Sequence, residues 1–163
     1  MSTSQPKEEQ SSLKEAFAAF TKSLVSLQRQ ADAGIALRGA SIIDNELKGT
    51  LQRRMRPLTR AQEKRLFTGY GPLASFAARA DLAYALELVD EPTYDLIQAI
   101  KTIRNKFAHT AETLTFATPE IAAVLDALRF PASAATNRIE RYIRALQQVS
   151  EHLEKTAEKV DDA

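Results

Sequence analysis

The sequence predicts an all-α protein: a single compact bundle of about six helices. Three observations carry this. Apolar residues recur at spacings of three and four along most of the chain, no stretch alternates with period two, and the apolar stripes are separated by proline, glycine or capping residues. At 163 residues with 44% hydrophobic content, the chain is one domain's worth of sequence, large enough to bury a core. The helical domain is expected over residues 11–158, with polar tails at 1–10 and 159–163 too poor in apolar surface to order themselves.

The elements follow in order. Ser12, with Glu15 three residues on, reads as a capping box opening a stripe of Leu13, Phe17, Phe20, Leu24 and Leu27. Asp32 reads as the cap of a second helix carrying Ile35, Ile42, Leu47, Leu51 and Met55. Arg56-Pro57 stops that helix, since proline lacks the backbone donor and disfavours helical geometry before it. Gly34 and Gly39 each weaken it by about 1 kcal/mol relative to alanine, which marks places where another helix can approach closely. A polar segment then reaches the turn Thr68-Gly69-Tyr70-Gly71-Pro72, followed by a third helix over 73–89. Asp90-Glu91-Pro92 ends it and starts a fourth with Leu96, Ile97, Ile100, Ile103 and Phe107 inward. That helix is expected to fray near His109, before an extended loop containing Thr110 and Thr113. Thr118-Pro119 opens a short fifth helix ending before Phe130-Pro131. The last helix carries Ile139, Tyr142, Ile143, Leu146, Val149 and Leu153.

Composition excludes several chemistries. With no cysteine there are no disulfides, zinc ribbons, iron–sulfur clusters or thiol nucleophiles. Two histidines, His109 and His152, far apart in sequence, exclude histidine-rich metal sites, and no cofactor or metal is implied. The amino terminus has no apolar stretch of a secretory signal, and no apolar run reaches the roughly 20 residues needed to cross a bilayer, so a cytoplasmic, membrane-free protein is expected.

The net charge of +1 conceals an uneven distribution. Lys48, Arg53, Arg54, Arg56, Arg60, Lys64 and Arg65 form a basic block containing only Glu63 as an acid. The following stretch carries Asp81, Glu87, Asp90, Glu91 and Asp95 against Arg79 alone. Arg53, Arg54, Arg56, Arg60, Lys64 and Arg65 are candidate phosphate-backbone contacts, because cations gain by releasing condensed counterions. The competing reading is a solvated helix end whose charges pair with the acidic stretch in this or another subunit. It is favoured by the lack of interleaved aromatic residues.

The most informative short string is Arg104-Asn105-Lys106-Phe107-Ala108-His109. A histidine near neutral pKa can take the proton of a ribose hydroxyl, and an arginine can hold charge developing on the attacked phosphate. On a regular helix Arg104 and His109 stand about 140° apart, so they converge only if the helix distorts or a second subunit contributes its own copy. Asn105 and His109, four apart, share a face. The alternative is structural: His109 meets the negative end of the helix and Asn105 orients it. The string resembles the motif of HEPN-domain ribonucleases, in which an arginine precedes a histidine by a few residues and two copies surround one cleft. That resemblance implies Arg104, Asn105 and His109 as the catalytic set of a metal-independent endoribonuclease acting on RNA.

A longer stretch, 66–86, with Gly71, Pro72, Leu73, Phe76 and Arg79 at the motif positions, resembles the mannitol operon repressor family. The resemblance continues through the arginine–asparagine–histidine string to Leu114-Thr115-Phe116 and about Glu120. It includes 32–47, and reaches the last helix only in character. It implies a small bacterial all-α regulator without a DNA-reading module, and no helix-turn-helix pair with a polar recognition face is visible. The reading that results is a non-enzymatic regulator. It is expected to form a homodimer and to act through a protein partner such as a transcription factor or sugar-transport component. The ribonuclease is the alternative, and a sugar or sugar-phosphate sensor is a third class without a glycine-rich phosphate cradle to support it. Asp44, Asn45 and Glu46 fan around their helix and cannot grip one metal, so they read as an exposed face. Tyr70, Tyr84, Phe76 and Phe107 read as core rather than a ligand pocket, and His152 as a surface residue.

Overall fold

The computed structural model describes residues 5–109, 114–129 and 137–161. Among them are α1 (Gln5–Arg54), α2 (Arg60–Phe67), α3 (Phe76–Ala85), α4 (Glu91–His109), α5 (Pro119–Ala127) and α6 (Arg138–Asp161), with no strand. The all-α expectation holds, but the division of the chain differs from the expected one at three places.

The first concerns α1. The two helices expected on either side of Asp32 are one helix of 50 residues, about 75 Å long. It begins at Gln5 and passes through Ser12 without a start there. No proline interrupts it between Pro6 and Pro57. Asp32 is no cap: it is 3% exposed and accepts a hydrogen bond from the Phe116 backbone N–H at 3.0 Å. Its register explains this, for Asp32, Ala36, Ala40, Ile43, Leu47 and Leu51 share the stripe that faces the core. The helix ends where expected, with Met55 N–H tightening the last turn onto the Gln52 carbonyl at 3.1 Å.

The second difference is α2, which occupies the segment expected to be only polar. Thr59 accepts from the Gln62 N–H and the Gln62 side chain returns a bond to the Thr59 N–H at 2.9 Å, a complete capping box. The third is the length of α3, shorter than 73–89. Its N-cap is Ser75, whose hydroxyl accepts from the Ala78 N–H at 3.1 Å. At its end Glu87 takes φ 56°, with Leu88 N–H bonded to the Ala83 carbonyl and Glu87 N–H to that of Tyr84, both at 2.9 Å. That is a Schellman stop built without glycine. α4 begins as expected, with Asp90 accepting from the Thr93 N–H at 3.0 Å. α5 starts at Pro119 as expected, and α6 is entered through Asn137, whose side chain accepts from Glu140 N–H at 2.9 Å. Thr110, Thr113, Phe130 and Pro131 lie outside the described residues.

α4 is the centre of the bundle, packed against α1, α3, α5 and α6, while α1 and α6 run alongside each other. The core joins Ile43, Leu47 and Leu51 of α1 to Ala80 and Ala83 of α3, Ile97, Ile100 and Ile103 of α4, Ile121 and Leu125 of α5, and Tyr142, Val149 and Leu153 of α6. At Gly39 α6 approaches closely, since a Cβ there would collide with the Leu146 side chain. Gly34 has open space around it, so only one of the two glycines marks a close approach. The Tyr142 hydroxyl, fully buried, donates to the Ala36 carbonyl at 2.8 Å and completes the α1–α6 contact.

Candidate functional site

The arginine–asparagine–histidine string closes α4, which stays helical through His109. The helix ends at His109, where fraying is expected, and is not distorted before it, so the separation of about 140° around the axis stands. Arg104 and His109 are both exposed, and Arg104 Nη1 donates to Asn105 Oδ1 at 2.9 Å. The amide therefore orients the arginine. Lys106 Nζ donates to Glu120 Oε2 at 2.8 Å, tying α4 to α5, and this hydrogen bond holds the Glu120 carboxyl below its ordinary range. A single copy does not place Arg104 and His109 around one phosphate position.

The basic block forms a surface from the end of α1 to the end of α2, where Arg53, Arg54, Arg56, Arg60, Lys64 and Arg65 are exposed. Lys48 stands 3.5 Å from Glu63 and lies over the Phe67 ring, while Gln52 Nε2 donates to Glu63 Oε1. The acidic stretch has partners elsewhere. Asp81 accepts from the Tyr94 hydroxyl at 2.7 Å, and the bond raises the tyrosine pKa. Asp90 is held below its ordinary value chiefly by its bond to Thr93, with His152 Nδ1 4.0 Å away. Two of the four aromatics expected in the core are not there. Tyr70 is fully exposed in the turn after α2, and Tyr84 is 42% exposed, stacked on Tyr94.

Between α2 and α3 the chain makes a tight turn held by one side chain. Arg79 is 7% exposed. Its Nε donates to the Leu73 carbonyl at 2.8 Å, and its Nη2 to the carbonyls of Ala74 at 3.1 Å and Phe67 at 3.3 Å. Its Nη1 reaches Asp44 of α1 at 2.5 Å. Five donors in a planar fork suit a ring of carbonyls that no lysine could span. Gly71 completes the turn, because a Cβ there would strike the backbone carbonyls of Arg65 and Leu66. The glycine, proline, leucine and arginine of the motif are thus one structural device. Residues 60–158 match the family model described as Mannitol repressor. The chain belongs to the mannitol repressor family. The match covers α2 to α6 and leaves α1 outside it, so the resemblance over 32–47 is not part of it, whereas the last helix is. The X-ray structure of the MtlR–HPr complex from Escherichia coli is similar to this chain at 20% identity, covering 77% of this chain and 85% of that one, with a TM-score of 0.45. Comparison with curated proteins returns no match.

In this mannitol repressor family member a cleft of about 750 Å³ lies where α1, α5 and α6 meet, lined by Gln28, Asp32, Thr115, Phe116, Asp126, Arg138 and Arg141 among others. Arg141 Nε donates to the Leu125 carbonyl at 2.9 Å and its Nη2 to that of Leu128 at 2.5 Å, satisfying the end of α5. Arg138 Nη2 donates to Asp126 Oδ2 at 2.9 Å, and that bond lowers the Asp126 pKa. Asp126, Arg138 and Arg141 did not stand out in the sequence. The available signal was Asp32, a charge on the core-facing stripe of α1. Asp44 and Glu46 are not a solvated face either: Asp44 holds Arg79, and Glu46 accepts from the Ser150 hydroxyl at 2.9 Å. Among the described residues, no three histidines, aspartates or glutamates are grouped to hold a metal ion, and no helix is long and apolar enough to cross a membrane.

Proposed function

We propose that this chain is a non-enzymatic regulator of gene expression that acts in the cytoplasm as a homodimer and through a protein partner. The family match over α2 to α6 carries the reading. The geometry supports the partner. α2 and α3 are the short helix pair nearest in form to a DNA-reading module, yet α3 exposes Asp81, Tyr84 and Ala85 and buries its one cation in the turn clamp. Such a face offers no arginine, lysine, asparagine or glutamine to a base edge. The partner is a transcription factor or a sugar-transport component. HPr, which accompanies MtlR in the Escherichia coli complex, is the first to try.

Affinity capture with the full chain as bait, paired with expression profiling of a deletion strain, tests this. Specific retention of such a partner and altered expression of a sugar-uptake operon are expected. Recovery of the chain alone with unchanged expression overturns the reading. In gel-shift assays no sequence preference is expected. Any weak binding belongs to the exposed Arg54, Arg56, Arg60, Lys64 and Arg65 and should vanish between about 50 and 200 mM salt.

A further inference from the structure

We propose that the amino-terminal half of α1 is a coiled-coil seam that pairs with the same segment of a second copy. The inference rests on the homodimer reading and names the surface that makes it.

α1 is apolar on two faces. One, through Ala36, Ile43 and Leu47, enters the bundle. The other bears Phe17, Phe20, Leu24 and Leu27, and every residue over 17–28 is exposed. Phe20 and Ile43 lie about 140° apart around the axis, so the second face looks away from the bundle. Its spacing is that of a heptad. Phe17, Leu24 and Ala31 hold the a positions, Phe20, Leu27 and Gly34 the d positions, and Leu13 the preceding d position in the sequence. Ile42, 51% exposed, continues the same side of the helix farther along.

A second copy is the occupant these residues select. Between Phe17 and Ala31 the positions flanking the seam, e and g, are Thr21, Gln28, Ser23 and Gln30, and only Lys14, the e position beside Leu13, carries a charge. Over that central stretch two copies meet without repulsion and a charged partner helix finds nothing to pair with. The Thr21 and Ser23 hydroxyls donate to the Phe17 and Ala19 carbonyls of their own helix at 2.9 and 3.0 Å, so both hydroxyl donors are already satisfied. Charge lies farther round, on Lys22 and Arg29. The apolar area comes close to what a specific interface needs. With roughly 200 Å² for each of these large side chains, exposures of 70% for Phe17, 58% for Phe20, 49% for Leu24 and 62% for Leu27 amount to about 950 Å² over two copies when fully covered, just under the roughly 1,000 Å² at which a specific interface begins. Because the bundles hang from the opposite face of α1, pairing leaves them clear of each other.

Sedimentation equilibrium of the full chain tests the seam, with Phe17→Glu/Leu24→Glu and Phe20→Lys/Leu27→Lys as independent seam variants and Lys22→Glu as a charge change off the seam. Wild type and Lys22→Glu are expected at two chain masses. Both seam variants are expected at one, with dissociation constants raised at least 100-fold. Their bundle should melt as in the wild-type monomer, since residues 17–28 are exposed. A wild-type dimer that survives both seam variants overturns the seam and leaves the homodimer standing. A wild-type monomer at 100 μM overturns both, and a mass of three or more copies overturns two-copy pairing.

Discussion

Arg79 shows how much one side chain can hold. Its guanidinium is buried among three backbone carbonyls and the Asp44 carboxylate, so removing it leaves a buried acceptor cluster and a carboxylate without its counter-ion. Arg79→Ala is expected to cost about 3–5 kcal/mol, and Arg79→Lys most of that, because an ammonium keeps the charge without the fork. Thermal denaturation should show a fall of roughly 10 °C for the alanine variant; a change within two degrees would mean the turn stands without its clamp. Tyr142 offers a pH-resolved test. Burial raises its hydroxyl pKa above the ordinary 10.0. The raised value means the unfolded chain loses this proton first. The stability tied to the neutral hydroxyl is therefore fully present below pH 10 and is lost as pH rises from there toward the folded value. Tyr142→Phe removes the bond to the Ala36 carbonyl and should cost about 1 kcal/mol at neutral pH. The gap between variant and wild type should close above pH 10; urea titrations at pH 7 and pH 11 check this, and a gap that is constant or widens refutes it.

At the scale of the element, the end of α3 carries strain. Glu87 occupies the left-handed region at φ 56°, where a β-carbon costs about 1–2 kcal/mol and glycine costs nothing of the kind. Part of that gain is offset by the greater freedom of glycine in the unfolded chain, so Glu87→Gly is expected to stabilise by about 0.5–1 kcal/mol. Denaturant midpoints would show it, and destabilisation would mean the Glu87 side chain has an unrecognised partner. Legibility from the sequence divides along similar physical lines. Breaks made by covalent geometry were readable: Pro57, Pro92 and Pro119 stand where helices stop or start. Breaks inferred from side-chain preference were less so, because tertiary burial overrides a cap, and Asp32 serves a distant backbone N–H instead of its own helix. The α2 capping box, Thr59 with Gln62, was present in the sequence but masked by the polar run of 60–65 that follows it. The Asp32 cleft was illegible because its other walls come from α5 and α6, more than eighty residues away, and only folding brings them together.

For the whole molecule, the question that remains is whether a regulator of this shape also performs chemistry. Catalysis on RNA by Arg104 and His109 requires a base and a cation to converge within hydrogen-bonding reach of one phosphodiester. In a single copy α4 is regular to its last residue, the two side chains point to different sides, and the Arg104 guanidinium is engaged by Asn105. Convergence would thus have to come from a second copy. The seam on α1 is made by residues 17–34, none of which belongs to α4, so dimerisation can proceed without any contribution from the arginine–asparagine–histidine string. Purified wild-type chain incubated with structured RNA in EDTA is therefore expected to leave it intact, as is His109→Ala. The same preparations should show equal partner capture, because His109 has no role in the regulator reading. Cleavage by wild type that disappears in His109→Ala, and disappears again in the seam variants, would establish a dimeric ribonuclease and displace the non-enzymatic reading. Cleavage that persists in His109→Ala would point to a contaminating nuclease.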